Sequence, residues 1–232
     1  MIQDPPLLTI RRNFERPSAE AVAALSGVPT GNLVDAMNGR GAVHHRIKPV
    51  AGGPAGSVGF CGVAVTCYCG PDDNLALFAA VEIARPGDVI IAATDAYEGS
   101  AVMGDLLLGM AKNRGVIAFV TDGLVRDLDG IDRVGMPTFC RGVSPNSPVR
   151  NGPGTVGLPV TLGGVSVDSG DMLAGDRDGV VVVPRGRIEA VTQALVRVRA
   201  AEEALEAKVH DGLEIPDFVR DLLASDRVQS LD

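Results

Sequence analysis

The stretch that most constrains this chain is residues 104–132, GDLLLGMAKNRGVIAFVTDGLVRDLDGID. It opens on an acid at a helix start, Asp105, and crosses a helix-forming segment closed by Gly115. It then runs through the apolar VIAFVT and ends on the pair Arg126-Asp127. Twenty residues lie between Asp105 and Arg126. That is room for one helix, one tight turn and one strand, so the chain can return to where it began. Two carboxylates and a guanidinium can then share one pocket. Carboxylates hold a hard divalent cation, and an arginine grips a carboxylate or keto acid in a two-pronged contact.

The flanking segments extend the pattern. Ser18 can cap SAEAVAALSG and Thr30 can cap TGNLVDAMNG, each piece stopped by a glycine. After a Gly/Pro-rich passage at 51–57, VGFCGVAVTCYCG reads as a strand, and NLALFAAVEIA as an amphipathic helix. VIIAAT is a short, continuous apolar run of the kind buried on both faces of a sheet. The block at 104–123 supplies another helix and another such strand. DLDGIDRVG then gives a short helix and MPTFCRG a further strand. Strands alternating with helices over short connections predict an α/β layer. From 144 to 186 the text is loop-rich and then reads as short strands with glycine turns. Residues 187–210 form one long amphipathic helix, followed by a short polar tail. The simplest account is one compact domain over 1–232.

Composition narrows the function classes. Aromatic residues make up 3% with no Trp, which argues against base-stacking platforms. A net charge of −8 argues against a broad basic face, so no nucleic-acid partner is expected. No apolar run reaches the ~18–20 residues of a membrane span. The start, with Asp4, Pro5-Pro6 and Arg11-Arg12, does not read as a signal peptide, so a cytoplasmic protein is expected. Cys67-Tyr68-Cys69 lies in a strand-like run and reads as small buried residues rather than a zinc or redox pair. His44-His45 falls in a polar loop and reads as surface.

Each candidate group has a structural alternative. Gly104 lets a ligand approach the backbone, and the first-turn amides of Gly104, Asp105, Leu106 and Leu107 can hold a carboxylate at the positive end of a helix. Equally, Asp105 can serve only to complement the helix dipole. Arg126 can clamp an α-keto acid and Asp127 can ligate magnesium, directly or through water. Alternatively Asp127 or Asp129 merely caps the next helix. Asp176-Arg177-Asp178-Gly179 reads as a hairpin turn.

The arrangement Asp105…Arg126-Asp127 resembles that of the RraA-like proteins. This family includes the class II 4-hydroxy-4-methyl-2-oxoglutarate / 4-carboxy-4-hydroxy-2-oxoadipate (HMG/CHA) aldolases. TGNLVDAM, the long block at 104–127 and GGVSVDSGDMLAGDRDGVVVVP match as well, so the similarity spans roughly 18–212. The resemblance implies a three-layer β/β/α fold with a central sheet, N-terminal helices and a long C-terminal helix. It implies a homotrimer or homohexamer with a small 2-keto acid bound between subunits. By the same resemblance Asp127 holds Mg²⁺ or Mn²⁺, Asp105 reaches the metal through water, and Arg126 binds the keto acid and steadies enolate charge. Gly104 to Leu107 hold its carboxylate, and Glu202 of a neighbouring copy, or the adjacent Glu203, completes the metal's surroundings. Asp35 is given a structural role.

The reaction implied is cleavage of a 4-hydroxy-2-keto diacid to pyruvate and a second keto acid, with oxaloacetate decarboxylation through the same enolate. Lys48, Lys112 and Lys208 are the only lysines, and none sits in a buried strand where a Schiff-base amine would be desolvated. The metal route fits better. The competing expectation is a non-catalytic regulator of ribonuclease E, a role that some RraA-like proteins have.

Overall fold

The structure, a computed structural model, describes residues 5–53 and 56–231. Asp4 at the start of the chain and Pro54-Ala55 of the Gly/Pro-rich passage lie outside them. In chain order the first elements are β1 (Leu8–Ile10), α1 (Ala19–Leu25), α2 (Thr30–Ala36), β2 (Lys48–Ala51), β3 (Phe60–Tyr68), α3 (Leu75–Ile83) and β4 (Asp88–Ala93). Then come β5 (Ala101–Met103), α4 (Asp105–Asn113), β6 (Ala118–Thr121), β7 (Leu124–Val125), α5 (Leu128–Val134), β8 (Thr138–Cys140) and β9 (Gly142–Val143). The chain closes with β10 (Gly154–Val156), β11 (Val160–Leu162), β12 (Val165–Val167), β13 (Met172–Gly175), β14 (Val180–Val183), α6 (Ile188–His210) and α7 (Asp217–Leu223).

The apolar runs behave as their composition requires. β3, β4, β6 and β8 pair in parallel, and every residue of β4 and β6 is buried. Strands covered on both faces need no polar alternation. Alternate residues nevertheless serve different cores. Ile90, Ala92 and Phe119 face a helical layer with Leu77 of α3, Leu108 of α4 and Ile131 of α5. Val89, Ile91, Ala118, Val120 and Phe139 face the β11–β12 hairpin, through Val160, Leu162 and Val167. Complete burial of side chains such as Phe119 and Phe139 contributes roughly 1.5–3 kcal/mol each.

β3 has a divided outer edge. Its first half pairs with β13 and its last residues pair with β10. The β13–β14 hairpin then carries two faces. Leu173, Val180 and Val182 join the hairpin core, whereas Met172, Ala174, Val181 and Val183 pack against α1, α2 and α6. The result is a mixed α/β fold with a central sheet, N-terminal helices on the far hairpin face and a long C-terminal helix. Asp176 N–H donates to the Gly179 carbonyl at 3.0 Å, so the 176–179 segment is the hairpin turn expected of it. No helix among the described residues is long and apolar enough to cross a membrane.

Two local expectations need correction. Ser18 caps α1, accepting from Ala21 N–H at 3.2 Å, but Thr30 does not cap α2. Thr30 is the first helical residue after Pro29, and both its N–H and its hydroxyl donate to Asp176, at 2.8 and 2.9 Å. α3 is not amphipathic in place. It lies among β1, β3, β10 and α4, with Ala76, Leu77, Ala80 and Val81 buried. Within the short polar tail residues 217–223 form α7, with Phe218 and Leu223 exposed.

Candidate active site

A second, three-stranded parallel sheet positions the residues singled out above. β5, β7 and β9 each follow a strand of the main sheet, β4, β6 and β8 respectively, and pair in the order β5–β7–β9. Adjacent strands in a sheet lie about 4.8 Å apart, so the residues leaving their carboxyl ends are neighbours. Asp105 follows β5 by two residues and Arg126 follows β7 directly, with Arg126 N–H donating to the Met103 carbonyl at 3.0 Å. That pairing explains the twenty-residue spacing. A buried carboxylate anchors the approach: Asp122 accepts from Thr94 N–H at 2.7 Å, the Thr94 hydroxyl at 3.1 Å and Ala96 N–H at 3.1 Å. Burial pushes the Asp122 carboxyl upward from the ordinary carboxylate range, against those three donors.

Gly104, Asp105, Leu106, Leu107, Arg126 and Asp127 all line one cavity of about 170 Å³. This is below the ~300–1,000 Å³ of pockets for drug-sized ligands and suits a small acid. Asp127 lies against the glycine that precedes α4, and Asp105 lies against a glycine within α5. A Cβ on Gly104 would fall 2.6 Å from Asp127 Oδ2 and 3.2 Å from Arg126 Nε. A Cβ on Gly130 would fall 2.1 Å from Asp105 Oδ2. A side chain at either glycine would push the carboxylate of the facing acid out of this position.

Asp127 is not spent on the helix behind it. It occupies the cap position of α5, yet its side chain makes no capping bond, and the backbone carbonyl accepts from Gly130 and Ile131 instead. Its φ of 63° and ψ of 46° place a non-glycine residue in the left-handed region, which costs roughly 1–2 kcal/mol. That strain turns the carboxylate back over Gly104 and toward Arg126, with Nε at 3.3 Å from Oδ2. Arg126 Nη1 also donates to the Ser147 hydroxyl, which brings in the loop after β9. Asp105 does part of the structural work allowed for it, since its Oδ1 accepts from Leu106 N–H at 2.7 Å.

Glu202 stands elsewhere in the same chain. It is on α6, accepts from Asn32 Nδ2 at 2.5 Å and does not line the cavity. Sequence reasoning also missed the opposite wall, Asn74, Phe78, Pro148 and Arg150. Arg150 lies in SPNSPVRNGPG, and a lone cation among turn residues was the available signal.

The other chemistry-bearing residues stand away from the cavity. Cys67 and Cys69 are buried with their sulfurs 3.9 Å apart, and burial holds the Cys67 thiol well above its ordinary range. Burial pushes Cys61 and Cys140 up to about 11. His44 and His45 are exposed and stack on each other at 4.4 Å. Lys48 and Lys112 donate to the carbonyls of Asp178 and Val134, and Lys208 is exposed on α6, so none borders the cavity.

Known proteins of similar shape and sequence show the family of the chain. The family model described as RraA-like, aldolase/RraA, matches residues 30–182. A Halalkalibacterium halodurans protein, provisionally named 4-hydroxy-4-methyl-2-oxoglutarate aldolase, is 36% identical over 186 residues, covering 80% of this chain and 87% of the relative. A Pseudomonas syringae protein with the same provisional name is 30% identical over 138 residues, covering 60% and 85%. Among solved structures, Streptomyces coelicolor RraAS2, described as an unusual member of the RNase ES inhibitor RraA protein family, superposes with a TM-score of 0.73. It is 26% identical and covers 83% of this chain and 100% of its own. On the extent of these matches, the chain belongs to the RraA-like family.

Proposed function

We propose that this chain is a divalent-metal-dependent carbon–carbon lyase that cleaves a 4-hydroxy-2-keto diacid to pyruvate and a second keto acid. Oxaloacetate decarboxylation is a second reaction of the same site. The observation that carries the reading is the meeting of Asp105, Arg126 and Asp127 at one small cavity, with the Asp127 carboxylate left out of helix capping. The names of the relatives at 36% and 30% identity point to the same reaction.

The donor set fits Mg²⁺ or Mn²⁺. Among the described residues no three His, Cys, Asp or Glu side chains gather as a metal cage. Two carboxylate residues beside an open cavity suit a hard cation that keeps much of its water, as Mg²⁺ does. Asp127 would hold the ion and Asp105 would hold its water. When bound, the ion supplies Lewis acidity at the 2-keto oxygen. Arg126 pairs with the keto acid and, through its fork of donors, stabilises charge developing on the enolate oxygen. The first-turn amides of α4 orient the substrate carboxylate. The 4-hydroxyl gives its proton to the water that Asp105 would hold, the bond between C3 and C4 breaks, and C4 becomes the carbonyl of the second keto acid. The electron pair passes into the pyruvate enolate, which takes that proton back at C3. In oxaloacetate the breaking bond releases CO₂ and leaves the same enolate.

The third acid is proposed to come from a neighbouring copy. From Arg199 to its end α6 is exposed, and it displays Leu205 and Val209 at 48% and 57% exposure. A charged helix with apolar residues on a bare face is suited to lie on another copy, in a homotrimer or homohexamer. Glu202 would then reach the neighbour's cation, and its bond to Asn32 would orient it. A protein regulator of ribonuclease E is the second reading, favoured by the structural similarity to RraAS2.

The test is pyruvate release from 4-hydroxy-4-methyl-2-oxoglutarate and oxaloacetate, with Mg²⁺ or Mn²⁺ and with EDTA. Turnover that EDTA abolishes and either metal restores is the expected result. No turnover of either substrate, together with inhibition of ribonuclease E by the purified protein, would favour the regulator. Gly104→Ala gives a sharper version. Its methyl group displaces Asp127 Oδ2, so kcat/KM should fall about 10²-fold with little change in melting temperature.

A further inference from the structure

The cavity has a second guanidinium that pyruvate chemistry does not use. We propose that Arg150 binds the far carboxylate of a diacid substrate and so selects diacids over keto monoacids, an inference that rests on reading the cavity as the keto-acid site. Arg126, held in place by Asp127 and by Ser147, is assigned to the keto acid end of the substrate. Arg150 lines the same cavity from the loop after β9, with its guanidinium 5.3 Å from the Phe78 ring centroid. Among the described residues no carboxylate pairs with it.

The backbone on both sides of Arg150 is held by hydrogen bonds, although the loop is exposed. Val149 N–H donates to the Asp72 carbonyl at 2.7 Å, and Asn74 N–H donates to the Val149 carbonyl at 3.1 Å. On the other side Asn151 N–H and Gly152 N–H both donate to Asp73 Oδ2, at 2.5 and 2.9 Å. Asp73 is 6% exposed, and its other oxygen accepts from Leu75 N–H at 2.7 Å. A buried carboxylate is therefore devoted to locking the residues that flank one arginine onto the start of α3. Locked supports of this kind give binding side chains their precision. Phe78, one turn beyond Asn74 on α3, supplies the face on which the guanidinium stacks.

Asn74 ties the start of α3 to the strand beneath the cavity. It is 5% exposed and lines the cavity, and its Nδ2 donates to the Val102 carbonyl at 3.0 Å. Its Oδ1 has no partner among the described residues. The cavity thus offers donors for an α-keto acid at Arg126 and α4 and a cation for a second carboxylate at Arg150. Those match the two acidic ends of a keto diacid.

Calorimetric binding of 2-oxoglutarate and of 2-oxopentanoate, a monoacid of the same chain length, tests the assignment without requiring turnover. With Mg²⁺ present, the unaltered protein should bind the diacid about 10- to 100-fold more tightly. Arg150→Ala and Arg150→Gln should remove that difference by weakening the diacid alone, with monoacid and pyruvate affinities changed less than about threefold. A preference that survives both substitutions, equal weakening of both ligands, or no binding of either would overturn the proposal. Pyruvate release from 4-hydroxy-4-methyl-2-oxoglutarate is measured in parallel. Discrimination without turnover would sink the lyase reading and leave this one standing. Turnover with discrimination that ignores Arg150 would do the reverse.

Discussion

Asp127→Asn is expected to lower pyruvate release about 10³-fold and to leave the protein folded. The magnitude combines the loss of a charged ligand from a hard cation with the loss of stabilisation for a developing enolate. Asparagine is the informative substitution because the backbone there is left-handed, with φ of 63°. Asn tolerates that region as well as Asp does, so strain is held constant while the charge is removed. Asp127 is also 44% exposed through its side chain and caps nothing, so removal of its charge leaves no buried group orphaned. Asp127→Gly should be equally inactive and, by relieving the left-handed strain, at least as stable as the unaltered protein. Turnover within a fewfold of the unaltered protein in either variant would show that the carboxylate is not part of the reaction.

Arg126→Ala should cost about 10²–10³-fold in kcat/KM, with loss in both kcat and substrate affinity. The side chain is one-third exposed and is held from two directions, by Asp127 at Nε and by Ser147 at Nη1. On the proposed reading, a guanidinium preorganised in this way would give both binding and charge stabilisation where the enolate forms. Arg126→Lys retains the charge but not the fork, so it should restore only a small part of the activity. A lysine variant with near-normal kcat would mean that a diffuse positive potential suffices and that the two-pronged contact is not used.

The sequence made some of this visible and hid the rest for physical reasons. The buried strands β4 and β6 were legible because continuous apolar runs flanked by turn residues have few other uses. Asp105 and Arg126-Asp127 were legible through their spacing, and pairing of β5 with β7 is what gives that spacing meaning. The strands of the small sheet were not legible, since runs of two or three residues carry no period. The left-handed backbone of Asp127 had no signature either, because aspartate is acceptable in caps, turns and strained sites alike. Thr30 was misassigned for a related reason. A hydroxyl just before a helical run signals a cap, but here a residue 146 positions away in sequence, Asp176, takes it. Arg150 and Asn74 were missed because their relation is tertiary: the loop after β9 is pinned to the start of α3 by Asp73, and neither segment shows that alone. Glu202 was selected by resemblance, and within its own chain it sits beside Asn32, away from the cavity.

The central claim, that the carboxylates of residues 105 and 127 hold a divalent cation beside Arg126, is tested most directly by Mn²⁺ titration, with the free ion followed by electron paramagnetic resonance. The unaltered protein should bind one Mn²⁺ per chain, more tightly when pyruvate is present, and Asp127→Asn should lose that binding. Mn²⁺ binding that is absent from the unaltered protein, or that is unchanged in Asp127→Asn and indifferent to pyruvate, would contradict it.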